Sequence, residues 1–302
     1  MSAASWIAVD WGLSNLRAWV IGADGDILDK RVSGQGVNTL ARDAFEAALL
    51  DLIGDALPET GRMTILVCGN AGAREGWAEA PYRAVPSAPP GVAQATRALT
   101  LDPRLDIRIL PGLKQMKPPD VMRGEETQIA GVFAARPNFD GVICLPGTHT
   151  KWAQVSAREV VSFRTFMTGE IFALLEKRSV LRHVVGDGWD DAAFAEAVGE
   201  GMSRPAPLAS NLFSLRAEAL LAGLAPDAAR ARLSGLLIGM ELAGARAYWL
   251  GQPVLIVGEV GIAQAYRTAL AAQGAMVETI DAEAVTLGGL VAARAGMKDA
   301  AP

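Results

Sequence analysis

Four short runs of this sequence bring together residue types that could handle phosphate and move a proton. Asp10-Trp11-Gly12-Leu13-Ser14-Asn15-Leu16-Arg17 sets a carboxylate just ahead of a glycine turn with small polar donors and an arginine. Glycine lets backbone N–H groups approach an anion closely. An acid beside such a cradle makes sense when a divalent cation lies between acid and phosphate, as Mg²⁺ is usually held by one or two carboxylates plus phosphates. Gly147-Thr148-His149-Thr150-Lys151 offers backbone donors, hydroxyls and an ammonium, suited to a second phosphate contact. For both runs the bland alternative is an ordinary polar turn. Arg123-Gly124-Glu125-Glu126-Thr127-Gln128 leads into the apolar Ile129-Ala130-Gly131-Val132-Phe133. A carboxylate there could accept the proton of a substrate hydroxyl during phosphoryl transfer. Helix capping and the helix dipole explain one of the two acids without any function. Gly258-Glu259-Val260-Gly261 could let a flat ring lie against the backbone, although a strand–Gly–helix junction is generic. Arg74, Arg83 and Arg123 all fall in the first half, and together would suit a substrate bearing a carboxylate.

Other chemistries are excluded by what is missing. The sequence has no G-x-x-x-x-G-K-[ST] run and no strand-linked G-x-G-x-x-G. It holds two His and no G-x-S-x-G, which argues against a serine hydrolase and a His-rich metal site. Cys68 and Cys144 end separate apolar runs without metal-type spacing, as expected of reduced, buried thiols in a cytoplasmic protein.

Strands and helices must place these runs. Trp6-Ile7-Ala8-Val9 reads as a strand buried on both faces, followed by strands at Ala18–Ile21 and Asp26–Val32. Ser33 to Asn38 is a loop, and Thr39 can cap a helix running to about Ile53. Met63–Val67 and Asp106–Leu110 read as further strands, with a long irregular stretch from Glu75 to Pro90 between them. Aromatic residues there argue against disorder. Pro118-Pro119-Asp120 leads into a helix from about Val121 to Ala134. A boundary near Arg136-Pro137-Asn138 divides the chain into domains 1–136 and 137–302, as its length favours. The second half opens with strands at Val142–Leu145, Trp152–Val155 and Glu159–Thr165, then a helix at 169–177 capped by Thr168. A helical stretch follows, with breaks near Gly186-Asp187-Gly188, Arg204-Pro205 and Pro226. Val254–Val257 and Met276–Ile280 are strands, each followed by a helix. Val142–Val155 can be laid on Ile7–Val20 at an offset of 135 residues, matching Gly147 with Gly12. Two such strand–turn–strand units imply a duplicated fold. Open α/β sheets bind ligands at the carboxyl ends of their strands, so both turns are expected to open onto one cleft.

Composition sets the partners. Net charge is −5 without a basic cluster, which excludes nucleic acid and anionic membrane as natural partners. The most apolar stretch, Ala231–Leu250, is interrupted by Arg232, Glu241 and Arg246, so a membrane span is not expected. No signal peptide is read at the N-terminus.

The motifs together resemble the 2-dehydro-3-deoxygalactonokinase family. They are Asp10-Trp11-Gly12 with Asn15–Trp19; Gly76-Trp77 with Glu79-Ala80-Pro81-Tyr82; Met122–Gln128; Leu145–Trp152; and Thr168-Gly169-Glu170, in that order. The likeness runs from about Trp6 to Ala293. It implies an α/β fold of two ribonuclease H-like domains, of the sugar kinase/Hsp70/actin superfamily, closing over ATP in an interdomain cleft. It further implies a cytoplasmic kinase of galactonate/galactose catabolism. Such an enzyme phosphorylates the 6-hydroxyl of 2-dehydro-3-deoxy-D-galactonate with ATP and Mg²⁺. By resemblance, Asp10 holds the metal through water, and Gly12, Leu13, Ser14, Asn15 and Arg17 form the first phosphate loop. Gly147, Thr148 and Lys151 form the second, and Gly258, Glu259, Val260 and Gly261 meet the adenosine. Gln35, Gly36, Asn38, Arg74, Trp77, Tyr82 and Arg123 meet the sugar acid. Glu125 is the expected base, with Glu126 the alternative. The sequence departs from the family at Leu13-Ser14, where a Thr pair is usual, and at Ala73 and Glu75, where Ser and Gln are common. Competing readings are a kinase for another sugar or keto sugar acid, and an ATP-binding sensor that transfers nothing. Epimer preference and oligomeric state, a homodimer included, stay open.

Overall fold

A computed structural model describes residues 4–295. The chain forms two compact units. One holds residues 4–139, 156–162 and 282–295; the other holds Asp140–Val155 and Phe163–Asp281.

The first unit is built on strands β1 (Ala4–Trp11), β2 (Leu16–Gly22), β3 (Ile27–Ser33), β4 (Met63–Gly69), β5 (Arg83–Ala84), β6 (Thr96–Arg97), β7 (Leu105–Ile109), β8 (Leu113–Met116) and β9 (Pro119–Met122). Its main sheet runs β3-β2-β1-β4-β7-β6, and a smaller sheet runs β5-β8-β9. β1 is antiparallel to β2 and parallel to β4. Side chains alternate along a strand, so β1 serves two cores. Ile7, Val9 and Trp11 pack with Phe45, Ala48, Leu49 and Ile53 of helix α1 (Phe45–Ile53). Trp6 and Ala8 pack with Leu66, Cys68 and, from helix α9 (Ala282–Ala295), Leu290 and Ala293. By the same alternation Asp10 belongs to this second face. Helix α2 (Glu125–Ala135) crosses α9 with backbones in close contact: a Cβ on Gly131 would strike the Val285 carbonyl, and one on Gly289 the Thr127 carbonyl.

The second unit contains β10 (Gly141–Leu145), β11 (Thr150–Ser156) up to Val155, β12 (Glu159–Phe166) from Phe163 on, β13 (Pro253–Gly258) and β14 (Met276–Asp281), and the sheet runs in the order β12-β11-β10-β13-β14. Its helices are α3 (Thr168–Arg178), α4 (Asp191–Ser203), α5 (Leu208–Leu221), α6 (Pro226–Gly244), α7 (Arg246–Trp249) and α8 (Val260–Ala271). Val142, Cys144 and Trp152 pack with Phe194 of α4, Ile238 and Leu242 of α6, and Tyr266 and Leu270 of α8. The strand order repeats that of β3-β2-β1-β4-β7, with β10 antiparallel to β11 and parallel to β13. This is the expected duplication. The registers differ in detail: Asp10 faces Arg17, whereas Leu145 faces Lys151, so the second turn is one residue shorter.

Three expected boundaries shift, each for a local reason. Thr39 does not cap a long helix; its hydroxyl donates to the Gly36 carbonyl at 2.8 Å and closes a 3₁₀ turn, Val37–Thr39, while α1 starts at Phe45. Residues Val121 and Met122 are strand rather than helix, because Gly124 takes φ 105 and starts α2 only at Glu125. Thr168 lies inside α3 and its hydroxyl donates to Glu241 instead of capping the helix.

Candidate active site

In the first unit, the ends of β1 and β4 and the start of α2 meet through two glycines. Asp10 and Cys68 are register partners, as are Trp11 and Gly69. Gly69 has φ 89, and a Cβ there would lie 2.6 Å from the Trp11 carbonyl. Gly124, with φ 105, in turn lies against Gly69. Only glycine takes both conformations without strain, and together they set α2's first turn beside the end of β1.

The carboxylates gathered there have different surroundings. Asp10 keeps about a quarter of its side chain exposed (27%) and sits 3.8 Å from the Arg17 guanidinium. Burial raises its pKa; Arg17 and a hydrogen bond from the Cys68 thiol oppose that, and the charges of Glu125 and Glu283 add to it. Glu126 is fully buried. Its two oxygens accept from the Gly124 N–H at 2.9 and 2.8 Å, and burial with the neighbouring Glu125 charge pushes its pKa up to about 8. Glu125 is half-buried, and its Oε2 accepts from the Arg123 N–H at 2.9 Å. Both acids therefore serve the N-terminal turn of α2, not one alone.

The first glycine turn is paired with the loop after β3. Gly12 N–H donates to the Asn15 carbonyl at 2.9 Å, Val37 N–H to Gly12 O at 3.0 Å, and Asn38 N–H to Leu13 O at 3.0 Å. Gly36 fits against Leu13 and Ser14 with no room for a Cβ. Trp11 Nε1 donates to the Gln35 carbonyl at 2.9 Å. Ser14, Asn15 and Asn38 are exposed. Gln35, Gly36 and Asn38 are thus joined to the Gly12–Asn15 turn.

The remaining residues expected at the sugar acid divide. Trp77 packs on Phe45 (6.2 Å, 21° between rings) and edge-on to Trp11 (6.0 Å). Arg123 is buried: its Nη2 donates to the Ala80 carbonyl at 2.8 Å and its guanidinium lies 4.2 Å from the Tyr82 ring centroid. Its Nε and Nη1 are closed off without a hydrogen-bond partner. Arg74 and Arg83 are exposed.

In the second unit, the turn after β10 rests on the first turn of α3. Glu170 N–H donates to Thr148 O at 2.9 Å, Glu170 Oε2 lies 2.6 Å from His149 Nε2, and Gly169 lies directly against the Gly147 carbonyl. Lys151 is buried, with its Nζ donating to the His149 carbonyl at 3.0 Å. A cavity of about 860 Å³ opens beside this turn. Gly147, Val260 and Gly261 line it, so the structure brings part of the second turn and part of the Gly258–Gly261 junction around one space. Gly258 is buried against Pro146, and Glu259 is exposed at the N-cap of α8. The cavity also has an aromatic lining from Phe172, Trp189 and Phe194. Sequence reasoning missed this wall. Trp189, 43% exposed directly after a Gly-Asp-Gly break, was its one visible sign.

Comparison with known proteins gives this arrangement its context. A family model described as 2-keto-3-deoxy-galactonokinase matches residues 10–293. The chain belongs to the 2-keto-3-deoxy-galactonokinase family. The Probable 2-dehydro-3-deoxygalactonokinase DgoK1 of Rhizobium meliloti (strain 1021) is 44% identical over 299 residues, 97% of each chain. The 2-dehydro-3-deoxygalactonokinase of Escherichia coli (strain K12) is 34% identical over 281 residues, 92% of this chain and 93% of that one. The crystal structure of a protein from Sinorhizobium meliloti described as a putative 2-dehydro-3-deoxygalactonokinase has a TM-score of 0.89 at 42% identity, over 97% of this chain and 99% of that one. The 2-keto-3-deoxy-galactonokinase match takes in both glycine turns and α2's first turn.

The residues of the 2-keto-3-deoxy-galactonokinase family match that surround Asp10 fit a cation brought in on phosphate. A partly exposed carboxylate with two like charges nearby gains from a divalent ion. Among the described residues no group of three or more His, Cys, Asp or Glu could hold a metal by itself. A single carboxylate is also the donor set expected for Mg²⁺, which keeps its waters and its phosphate ligands. Among those residues no helix is long and apolar enough to cross a membrane.

Proposed function

We propose that the protein is an ATP-dependent kinase that phosphorylates the 6-hydroxyl of 2-dehydro-3-deoxy-D-galactonate, acting in the cytoplasm in galactonate/galactose catabolism. The observation that carries this reading is the 44% identity, over nearly the whole of both chains, to a relative named for that activity. Free, buried Cys68 and Cys144 fit a reducing compartment.

Each residue then has a task. The cavity lined by Gly147, Val260 and Gly261 takes the adenosine end of ATP, with Gly258 and Glu259 shaping its rim. Backbone donors at Gly147 and Thr148, with the Lys151 ammonium, meet its phosphates. Gly12, Leu13, Ser14, Asn15 and Arg17 offer the second set of phosphate donors. Asp10 holds Mg²⁺, which supplies neutralisation of phosphate charge as the transfer proceeds. The Gln35-Gly36-Asn38 loop, Arg74, Trp77, Tyr82 and Arg123 form or support the sugar-acid site. Glu125 accepts the proton of the 6-hydroxyl. Its partial exposure supports that role, whereas Glu126, wholly buried and holding its proton to about pH 8, is neutral near pH 7 and unsuited to it. Most of the rate comes from positioning and charge stabilisation.

The test is a coupled ADP assay with MgATP and the two epimeric 2-dehydro-3-deoxy acids, with the product's phosphorylated carbon located by NMR. The 6-phosphate of the galacto acid is the expected product. ATP binding without turnover of any sugar acid would replace the kinase by a nucleotide-binding sensor.

A further inference from the structure

Glu241 lies in the middle of α6, is fully buried, and belongs to none of the motifs that carry the proposed function. A carboxylate in that position is costly unless donors surround it. Three side chains from three other elements supply them. Trp152 Nε1 of β11 donates to Oε1 at 2.7 Å, and Tyr266 OH of α8 donates to Oε2 at 2.8 Å. The Thr168 hydroxyl, in the first turn of α3, also donates to Oε2. Each of these elements borders the nucleotide cavity or the turn beside it. Thr168 and Tyr266 line the cavity, Trp152 follows Lys151, and Tyr266 OH also lies 3.0 Å from Thr150 Oγ1 inside the turn.

The Gly147–Lys151 turn is therefore fixed to one buried group from both ends. On one side, Thr168 anchors the first turn of α3, and Gly169 and Glu170 hold Gly147, Thr148 and His149. On the other side, Tyr266 holds Thr150. A neutral core could pack these elements together. It would not set the direction of the hydroxyls, whereas an acceptor-only carboxylate turns every donor inward.

We propose that Glu241 is a positioning residue of the nucleotide site: through Trp152, Thr168 and Tyr266 it holds the Gly147–Lys151 turn in the geometry that receives the phosphates of a nucleoside triphosphate. This rests on the kinase reading only in taking that turn as the phosphate contact. Glu241 and Trp152 do not line the cavity, so their effect on a nucleotide must pass through the residues they hold.

The test uses the full chain and a non-hydrolysable ATP analogue with Mg²⁺, its affinity measured by calorimetry, alongside kcat and both KM values. The measurements are made well above pH 7, since burial pushes the Glu241 pKa up to about 7 and only the ionised form is purely an acceptor. Glu241→Gln keeps the volume but presents an NH₂ group to groups that now donate. We expect analogue affinity and KM for ATP to worsen roughly 3- to 10-fold, the worth of one misdirected hydrogen bond, with KM for the sugar acid unchanged. Trp152→Phe removes one donor and shifts the same two quantities in the same direction. Leu233→Ala, fully buried on the same helix, provides the comparison: it lowers the melting temperature and leaves analogue affinity in place. If Glu241→Gln and Trp152→Phe lower only the melting temperature, Glu241 is a structural group and the inference is wrong. If the wild type binds the analogue but phosphorylates no sugar acid, the weaker binding of the variants still supports it while the proposed substrate is discarded. A wild type that binds no analogue overturns both.

Discussion

Among the described residues, Glu126 in the first unit and Glu241 in the second are both carboxylates without solvent exposure, and they are held in different ways. Glu126 stands in the first turn of α2 and takes a backbone N–H on both oxygens, with a second acid, Glu125, as its neighbour. Glu241 stands mid-helix and is met by side-chain donors from three elements. Burial raises both pKa values. For Glu126 the charge of Glu125 adds to that rise and the result is about 8; for Glu241 the bonds from Thr168, Trp152 and Tyr266 oppose it and the result is about 7. In the first turn of α2, burial and a neighbouring like charge together favour the protonated form of Glu126. In the middle of α6, a ring of donors makes a carboxylate into a fastening.

The largest effect that could break this comparison lies with the pair on α2. Glu125→Ala should lower turnover about 10²- to 10⁴-fold, the usual contribution of a general base, with a melting temperature close to wild type. Glu126→Gln should keep turnover within a few-fold, because glutamine copies a carboxyl that is already neutral. Reversed results in the coupled assay would transfer the base to Glu126.

Stability comes next. Glu241→Ala leaves the Trp152 N–H without an acceptor and two hydroxyls to be redirected, and should cost about 3 kcal/mol; Glu126→Ala leaves one backbone donor and should cost about 2 kcal/mol. Urea unfolding of the two variants measures the difference. Equal losses would mean that the number of donors does not matter.

The pH dependence follows from the two raised pKa values. An acid that binds its proton more tightly in the folded state adds stability that is complete below its unfolded pKa, near 4.5, and is lost as pH rises through the folded pKa. Between those limits each group should lower stability by roughly 1 kcal/mol per pH unit. Glu241→Gln should flatten the profile up to about pH 7, and Glu126→Gln up to about pH 8. Melting curves from pH 5 to 9 would show it, and parallel profiles for wild type and both variants would rule out the assigned protonation states.

What could be read in advance follows the same division. Buried strands such as Ile7-Ala8-Val9 and Val142-Ile143-Cys144 show themselves by unbroken apolar runs, and the repeat between them announced the strand–turn–strand unit that both sheets contain, but not the order of the other strands. The turns at Gly12 and Gly147 were visible because glycine beside acid or lysine is a local pattern. β9 was hidden, since its four residues pair with β8 across a turn and Gly124 then delays the helix. Glu241 gave no sign beyond a charge inside an apolar stretch. Its three donors are 25 to 89 residues away in sequence, and only the fold assembles them. Likewise the aromatic cavity wall is drawn from α3, α4 and the chain between them, so no spacing announces it.

The smallest effect separates the two acids by single hydroxyls. Tyr266 OH meets Glu241 at 2.8 Å, a bond of full strength, while Thr127 Oγ1 meets Glu126 at 3.4 Å, near the limit of such a contact. Tyr266→Phe should therefore cost about 1 kcal/mol of stability, and Thr127→Val less than about 0.5 kcal/mol, since a weak bond gives up little when an isostere removes it. Thr127 lies where the Gly289 backbone of α9 touches its carbonyl, so the valine keeps the helix crossing intact and isolates the hydroxyl. A Thr127→Val loss as large as that of Tyr266→Phe, in matched urea titrations, would show that Glu126 too depends on a side-chain donor. The contrast between a carboxylate held by backbone and one held by side chains would then disappear.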